Sequence, residues 1–473
     1  MKPRSVPWTI FRAYDIRGRA DGDDAQLTPA LVYAIARTYG NLLQETWNTS
    51  QTVIGGDQRR TTPSLKQAAG EGLADAGIAL VDLGRAPSPL IYWASAELSR
   101  SQPCGGIAIT ASHNPAQDNG VKLLEPGGMP VLPDVIREIG RRIELGDIGA
   151  GSERGKRRSW DPIPQYITSL ARTYALARPL RVAIDPGNGV AALTAARALR
   201  ACGAEVVAIN DDPDEPNPPH VADPQHAEHM QQLARFVLEA KADLGFAFDG
   251  DGDRLGLVDR AGCRVTPDTV LALLASDWLE SHPQADVHID VKTSQAVIDV
   301  IQQQGGCAVF GPVGHSLGKH AMLRNGIAFG GEASTHYFHR IDDPAHISDD
   351  AVRTACRIAQ IASRSPLAER IKQIPTYETS PELKIACADE RKFGTVSQIT
   401  AYARERWPVS EIDGARIDLS SIAEGAWAVI RASNTTPYLT VVIEARRRSD
   451  FDRVQTVVAG VLSLHGLDPG PLG

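Results

Sequence analysis

The 473-residue sequence has no C-x-x-C pair, no long apolar run, no excess of positive charge and no low-complexity tract. Each absence excludes something. The six cysteines (Cys104, Cys202, Cys263, Cys307, Cys356 and Cys387) are scattered. Without paired spacing, zinc and thiol-redox motifs are absent, and a reduced, cytoplasmic compartment is expected. No run of about eighteen apolar residues occurs, and the opening MKPRSVPWTIFRAYDIRG lacks an apolar h-region, so no membrane association is expected. The net charge of -8 argues against a nonspecific nucleic-acid binder. An anionic substrate must then be met by local clusters of Arg and Lys. The chain is too long for one core, and typical domain sizes suggest about three or four domains.

What is present is an alternation of strand-like and helix-like segments. Thr28-Pro29 reads as an N-cap and first helical residue, followed by Val32, Ile35, Tyr39, Leu42 and Leu43 at helical spacing. Val53 and Ile54 form a short strand, and Thr62-Pro63 opens a second helix that Gly77 can end. This order predicts α/β domains with helix-covered sheets. Four more runs read as strands ending in loops: LRVAIDPGNGV (180–190), ADLGFAFDGDGDR (242–254), ADVHIDVKTS (285–294) and GIAFGGEASTH (326–336). Ligands gather where strands of such sheets end. The basic stretch Arg154 to Arg158 reads as a solvated linker. AWAVIRASNTTPYLTVVIEAR (426–446) reads as two strands joined by a polar loop, in a final α+β domain of a different kind.

The strongest motif is Asp249-Gly250-Asp251-Gly252-Asp253-Arg254. Its glycines let the backbone curl so that the carboxylates converge. Oxygen-only ligands suit a hard cation such as Mg²⁺. An EF-hand loop is excluded, because the sixth residue is Arg254 rather than Gly and the twelfth is Arg260 rather than Glu. The second motif is Thr110-Ala111-Ser112-His113-Asn114-Pro115. It is either a polar strand-to-helix turn or a serine presented for chemistry. It lacks the G-x-S-x-G elbow of hydrolases. His113, adjacent in sequence, is expected to point away from Ser112. A phosphoryl group on Ser112 would carry about -1.5 to -2 charge and require the cation of the acidic loop. The loop from Arg431 to Pro437 reads either as a polar hairpin turn or as an anion nest. Gly331 to His336 places an acceptor, a hydroxyl and a titratable ring after a strand.

Taken in order, FRAYDIRG (11–18), TASHNP, NGVK (119–122), DGDGDR, GEASTH and RASNTTP resemble the α-D-phosphohexomutase superfamily, within it the bacterial phosphomannomutase/phosphoglucomutase group. The resemblance covers nearly the whole chain. It implies three similar mixed α/β domains and a C-terminal α+β domain around a central cleft. The expected boundaries are 1–156 with the phosphoserine loop, 157–259 with the metal loop, 260–366 with the sugar loop and 367–473 with the phosphate loop. It implies that Ser112 is the phosphoserine and that Asp249, Asp251 and Asp253, with Ser112, hold Mg²⁺. Arg254, Lys122 and Arg17 would supply positive charge to the phosphoryl group, and Tyr14 lines the same site. Glu332 and Ser334 match residues on the sugar hydroxyls. Arg431, Ser433, Asn434 and Thr435 match the grip on the phosphate not being transferred. Lys292 and His315 match substrate contacts.

Two positions depart from the family pattern: Ala333 follows Glu332, and Thr335 stands where Gly usually precedes the His. PNPPHVADP (216–224) resembles a family loop, and beyond it His226 and His229 read as a helix start rather than a metal site. The resemblance implies a monomeric mutase that moves a phosphoryl group between the 1- and 6-positions of hexose phosphates through glucose 1,6-bisphosphate or its mannose counterpart. His336 is the first candidate for the base, since histidine titrates near neutral pH. The alternatives are a phosphoglucosamine mutase and a non-catalytic sugar-phosphate or cation-binding protein.

Overall fold

The computed structural model describes residues 6–12, 15–149, 153–215, 218–342, 345–433 and 437–472. The chain forms two compact units, Met1–Thr266 with Ser334–Ala368, and Pro267–Ala333 with Glu369–Gly473.

The first unit holds two sheets. In the first, the strands run in the order Ile16–Arg19, Asp118–Glu125, Gly105–Ile109, Gln51–Gly56, Ala79–Arg85 and Arg157–Ser159. The helix Pro29–Trp47 starts as its sequence dictates: Pro29 needs no N–H partner there, and Thr28 accepts a hydrogen bond from the Leu31 N–H. Val32, Ile35, Tyr39 and Leu43 face inward and are fully buried with Ile54, Ile107 and Ile109 of the sheet. Asp118–Glu125 is antiparallel to Gly105–Ile109, so the residues of NGVK lie beside the strand that feeds Ser112. In the second sheet, Leu244–Phe248 is central, parallel to Arg181–Asp185 and antiparallel to Leu255–Asp259. It is buried throughout, and its last residue delivers the chain to Asp249. Tyr337–Asp342 and Ala345–Asp349 pair antiparallel in the same unit.

The stretch expected to be a solvated linker is instead tied down. Arg157–Ser159 runs parallel to Ala79–Arg85 as an edge strand. Arg157 and Lys66 pair with Asp82, and Arg154 pairs with Glu71 and Asp75. The acidic residues of the second helix and its following strand neutralise the basic run, and the first sheet continues to Ser159.

In the second unit, Asp286–Asp290 lies between Cys307–Gly311 and Phe329–Gly331, all parallel. A separate antiparallel sheet joins Val409–Ser410, Ala415–Asp418, Trp427–Ala432 and Tyr438–Ala445, with Leu383–Ala386 on Tyr438–Ala445. The helices Asp389–Arg404 and Arg448–Leu464 bury Ile399, Val454 and Val458 against its apolar residues. This sheet is antiparallel where the others are mixed, which is the change of kind expected for the last domain. Among the described residues no helix is long and apolar enough to cross a membrane.

Candidate active site

Ser112 follows the fully buried strand Gly105–Ile109 and is itself buried. It adopts a left-handed backbone, with φ at 52°. A non-glycine residue held there is strained, and such strain persists where surrounding contacts enforce it. The Ser112 N–H donates to Thr110 Oγ1 at 2.9 Å. Arg59, in the loop after Gln51–Gly56, donates to the carbonyls of Ser112 (2.8 Å), Asn114 (2.6 Å), Pro115 (2.6 Å) and Asp118 (3.0 Å). Asp57 holds Arg59 in turn at 3.1 Å. One guanidinium thus fixes the whole serine loop. Nothing in the motifs pointed to Arg59; the available signal was a second Arg after a buried strand end, in GGDQRRT.

The left-handed turn also overturns the expectation for His113. Its ring does not point away: Nδ1 lies 2.9 Å from Ser112 Oγ. Burial, then Arg254 and Arg17, hold the His113 pKa far below the usual value, so the ring is neutral.

Ser112 Oγ donates to Asp249 Oδ2 at 2.7 Å. The other Asp249 oxygen accepts the N–H groups of Gly252, Asp253 and Arg254 at 3.0 to 3.1 Å, which curls the acidic loop around it. Gly252 sits at φ 81°, where a side chain would be strained. At Gly250 a Cβ would come within 2.4 Å of the Ser112 carbonyl oxygen. The glycines of DGDGDR therefore serve the curl at Gly252 and the close approach to the serine loop at Gly250.

Asp249, Asp251 and Asp253 are buried, and one oxygen from each lies within 4.8 Å of the others. Lys122 donates to Asp251 at 2.6 Å and to Asp253 at 2.7 Å. Burial opposes the lysine charge, but the two carboxylates outweigh it and raise its pKa well above the usual value. Burial, with Asp253 and Asp251 beside it, pushes Asp249 well above the carboxylate range. Burial and Asp253 also press on Asp251, but Lys122 and the Ser88 hydroxyl, 2.6 Å away, bring it below its usual value. Lys122 pairs with two of the three carboxylates, Arg17 and Arg254 add charge from farther off, and among the described residues Asp249 has no ion pair of its own. Among the described residues the buried Asp251 Oδ1 accepts no hydrogen bond. A clustered, oxygen-only, under-neutralised donor set fits a hard divalent cation.

Arg17 reaches the serine loop, 3.4 Å from the Ala111 carbonyl and from Asn114 Oδ1, and pairs with Asp15 at 2.5 Å. Burial lowers its pKa, but Asp15 and the three aspartates outweigh burial and raise it. His336 stands on the other side of the acidic loop. Its Nε2 is 3.4 Å from Asp253 Oδ1 and accepts from Arg254 Nε at 3.4 Å, while Nδ1 is 2.9 Å from Ser334 Oγ. Thr335 has φ 70°. That is the conformation glycine favours, so the departure from the family pattern keeps a glycine-like backbone with a β-branched residue in it. The first unit therefore brings together Ser112, Lys122, Arg17, the three aspartates, Arg254, Ser334 and His336.

The second unit carries the other expected residues. Lys292, after Asp286–Asp290, donates to Glu382 Oε2 at 2.9 Å. Burial lowers its pKa, but Asp290 and Glu382 prevail and raise it. Arg431 pairs with Asp413 at 3.1 Å, and Ser433 is buried with its N–H on the Tyr438 carbonyl. Glu332 is buried and accepts the Gly314 N–H at 2.9 Å, next to His315, which opens the helix His315–Asn325. Tyr14, Asn434 and Thr435 lie outside the described residues.

His226 is the N-cap of the helix Ala227–Glu239, in line with a helix start. His229, one turn in, does something else. It is buried beside His220, ring centroids 4.1 Å apart, and both face Asp185 at 3.6 and 3.1 Å.

Four family descriptions match in order. Residues 9–147, 164–262 and 266–377 match domains I, II and III of "Phosphoglucomutase/phosphomannomutase, alpha/beta/alpha", and 382–461 match its C-terminal domain. A phosphomannomutase/phosphoglucomutase of Pseudomonas syringae pv. tomato is 34% identical over 459 residues, 96% of this chain and 94% of the relative. A phosphoglucomutase of Neisseria meningitidis serogroup A is 32% identical, with 96% of each chain covered. A crystal structure of a phosphoglucomutase/phosphomannomutase family protein from Burkholderia thailandensis superposes with TM-score 0.88 at 30% identity, covering 98% of each chain.

Proposed function

Since the chain belongs to the phosphoglucomutase/phosphomannomutase family, we infer that it is a phosphohexomutase, interconverting the 1- and 6-phosphates of glucose and of mannose. The observation that carries this reading is the Ser112 hydroxyl, held on Asp249 inside a buried loop of three carboxylates. His113 Nδ1 lies 2.9 Å from the same hydroxyl, but the hydroxyl donates to Asp249 of the cation-type site, as suits a phosphoryl carrier.

In the reaction we infer, phosphoserine 112 gives its phosphoryl group to a hydroxyl of the hexose monophosphate. The bond from phosphorus to Ser112 Oγ breaks, a bond to the sugar oxygen forms, and the sugar hydroxyl proton passes to His336. The hexose 1,6-bisphosphate reorients, Ser112 Oγ bonds to the other phosphorus, the bond from that phosphorus to its sugar oxygen breaks, and the sugar oxygen takes the proton back from His336. Mg²⁺ held by Asp249, Asp251, Asp253 and the Ser112 group would neutralise phosphoryl charge. Lys122, Arg17 and Arg254 add the remaining positive charge, which is the main currency of phosphoryl transfer. Glu332 and Ser334 hold sugar hydroxyls, while Arg431 and Ser433, with Asn434 and Thr435, hold the second phosphate. Lys292, His315 and Tyr14 complete the contacts. Four domains, with bounds near 156, 259 and 366 and the first extended to Ser159 by its edge strand, carry these groups in turn.

Ser112→Ala tests the reading. Turnover of glucose 1-phosphate should fall by about 10³-fold or more, since the carrier atom is gone. Intact-mass measurement should show a labile phosphate on the wild type and none on the variant. A variant that keeps wild-type turnover refutes the mechanism.

A further inference from the structure

We propose that Asp413 and Arg416 are positioning residues: this short segment clamps Lys292, His315 and Arg431 into one register and so sets the affinity for sugar phosphate. The proposal rests on the reading in which those three residues contact substrate.

Lys292 sits in a turn between the strand Asp286–Asp290 and the helix Gln295–Gln303. Asp290 holds the inside of the turn, accepting the Lys292 N–H at 2.9 Å and the Thr293 hydroxyl at 3.0 Å. The carbonyls on either side of Lys292 face outward. Both meet Arg416, whose Nη1 donates to Val291 O at 2.6 Å and Thr293 O at 3.1 Å. The guanidinium is itself held between two rings, 3.7 Å from the Trp427 centroid and 4.7 Å from that of Phe310. It is 7% exposed. Burial lowers its pKa to about 10, which leaves it charged at neutral pH.

Three residues earlier, Asp413 Oδ2 accepts from Arg431 Nε at 3.2 Å and from the Val313 N–H at 3.1 Å. Val313 is two residues before His315. Between the two clamps lies Gly414, at φ 83°. A Cβ there would meet the Ile430 carbonyl at 2.5 Å and Arg431 Cα at 2.8 Å, so the segment lies directly on the strand that carries Arg431. The register Ala415 to Ile430 and Arg416 to Val429 continues that contact. One segment thus touches three of the candidate substrate elements of this unit.

Stability alone is a poor reason for this arrangement. A buried guanidinium loses its hydration; Glu444, Asp290 and Asp268 favour its charge, but its two hydrogen bonds go to neutral carbonyls, which return less than a carboxylate in direct contact would. Packed apolar side chains would weld the same elements at lower cost. What a planar, ring-stacked fork adds is geometry: two fixed donors that allow one conformation of the Lys292 turn.

The test is a kinetic cycle on the full-length enzyme with glucose 1-phosphate. Arg416→Lys keeps the charge but loses the planar fork, and should raise KM about ten-fold while changing kcat less than about two-fold. Asp413→Asn, which keeps an oxygen for Val313 but weakens the hold on Arg431, should raise KM about three-fold. Lys292→Met should raise KM by itself. The double variant Lys292→Met with Arg416→Lys should match Lys292→Met alone, because Arg416 acts through Lys292. A merely structural role gives the product of the two single effects, and that result overturns the proposal. So does a wild-type KM in Arg416→Lys. If Lys292→Met leaves KM unchanged, the substrate role of Lys292 fails first, with Arg416 intact, and the proposal falls with it. Arg416→Gln serves as the stronger variant, and melting curves on all variants separate misfolding from lost affinity.

Discussion

Lys122→Met should destabilise the first unit, and Mg²⁺ should largely repair the damage. Lys122 is 4% exposed and contacts Asp251 at 2.6 Å and Asp253 at 2.7 Å. Methionine matches its length but leaves both buried carboxylates without their lysine. Breaking a buried pair from one side costs about 3–5 kcal/mol. At about 2 °C per kcal/mol for a unit of this size, Tm should fall by about 6–10 °C in chelator. Arg17 limits the loss, since it already feels the three aspartates. A divalent cation bound among those carboxylates supplies the missing charge, and its binding energy adds to the folded state by mass action. Mg²⁺ should therefore raise Tm more in Lys122→Met than in the wild type, where Lys122 already occupies two of the carboxylates. The assay is differential scanning calorimetry of both proteins, with EDTA and then with increasing Mg²⁺. A variant melting within about 2 °C of the wild type in EDTA would show that Lys122 is not the principal counter-charge. Equal Mg²⁺ shifts in the two proteins would show that the cation does not bind at this loop.

Two further outcomes follow from the site and its surroundings. Glu332 and Ser334 are assigned to hydroxyls that glucose and mannose share, and an unread C2 centre discriminates by only about 1–3 kcal/mol. Glucose 1-phosphate and mannose 1-phosphate should both turn over with comparable kcat/KM, and Glu332→Ala should impair both together; loss of only one sugar would break the assignment. The Asp185–His220 pair should give the first unit a stability optimum in mild acid. Burial lowers the His220 pKa, but Asp185 outweighs it and raises it, so this contribution is complete below about pH 6.5 and is lost as pH rises through the raised value. Burial raises Asp185, but His220 and His229 outweigh it and lower it, so this contribution is present above about pH 3.9 and is lost as pH falls through the lowered value. Melting curves from pH 4 to 9 should decline on the alkaline side in the wild type, and His220→Gln should flatten that decline; parallel curves would remove the pair from the account.

Local chemistry was legible wherever a residue type answers to its immediate neighbours. Thr28-Pro29 announced a helix start because the cap and the fixed proline φ act within a few residues. DGDGDR announced a curled loop of convergent carboxylates because Gly252 permits the left-handed turn that curls it. Thr335 shows the limit of this legibility. The family pattern flagged it as the place of a glycine, and the backbone there has φ 70°, but the sequence did not say whether the threonine had moved the chain out of that conformation or been forced into it.

What stayed hidden was everything decided by a side chain arriving from far along the chain. Alternation of side chains along an extended backbone put His113 away from Ser112, and a single left-handed residue reversed that. The left-handed turn is enforced by Arg59, 53 residues earlier, through carbonyl groups that have no sequence signature. The same blindness made Arg154 to Arg158 a linker, because the acids that neutralise it lie on elements near residues 71 to 82. The helix start at His226 and His229 was read correctly, but the inward contact of His229 with Asp185 was not. In each case the deciding partner is a guanidinium, a carboxylate or a backbone carbonyl far away in sequence. Motifs therefore single out candidate reacting atoms, whereas the residues that hold those atoms still must be read from the fold. Arg59 on the Ser112 loop and Arg416 on the Lys292 turn are two instances of one device: a fixed, planar donor gripping backbone carbonyls beside a candidate functional side chain.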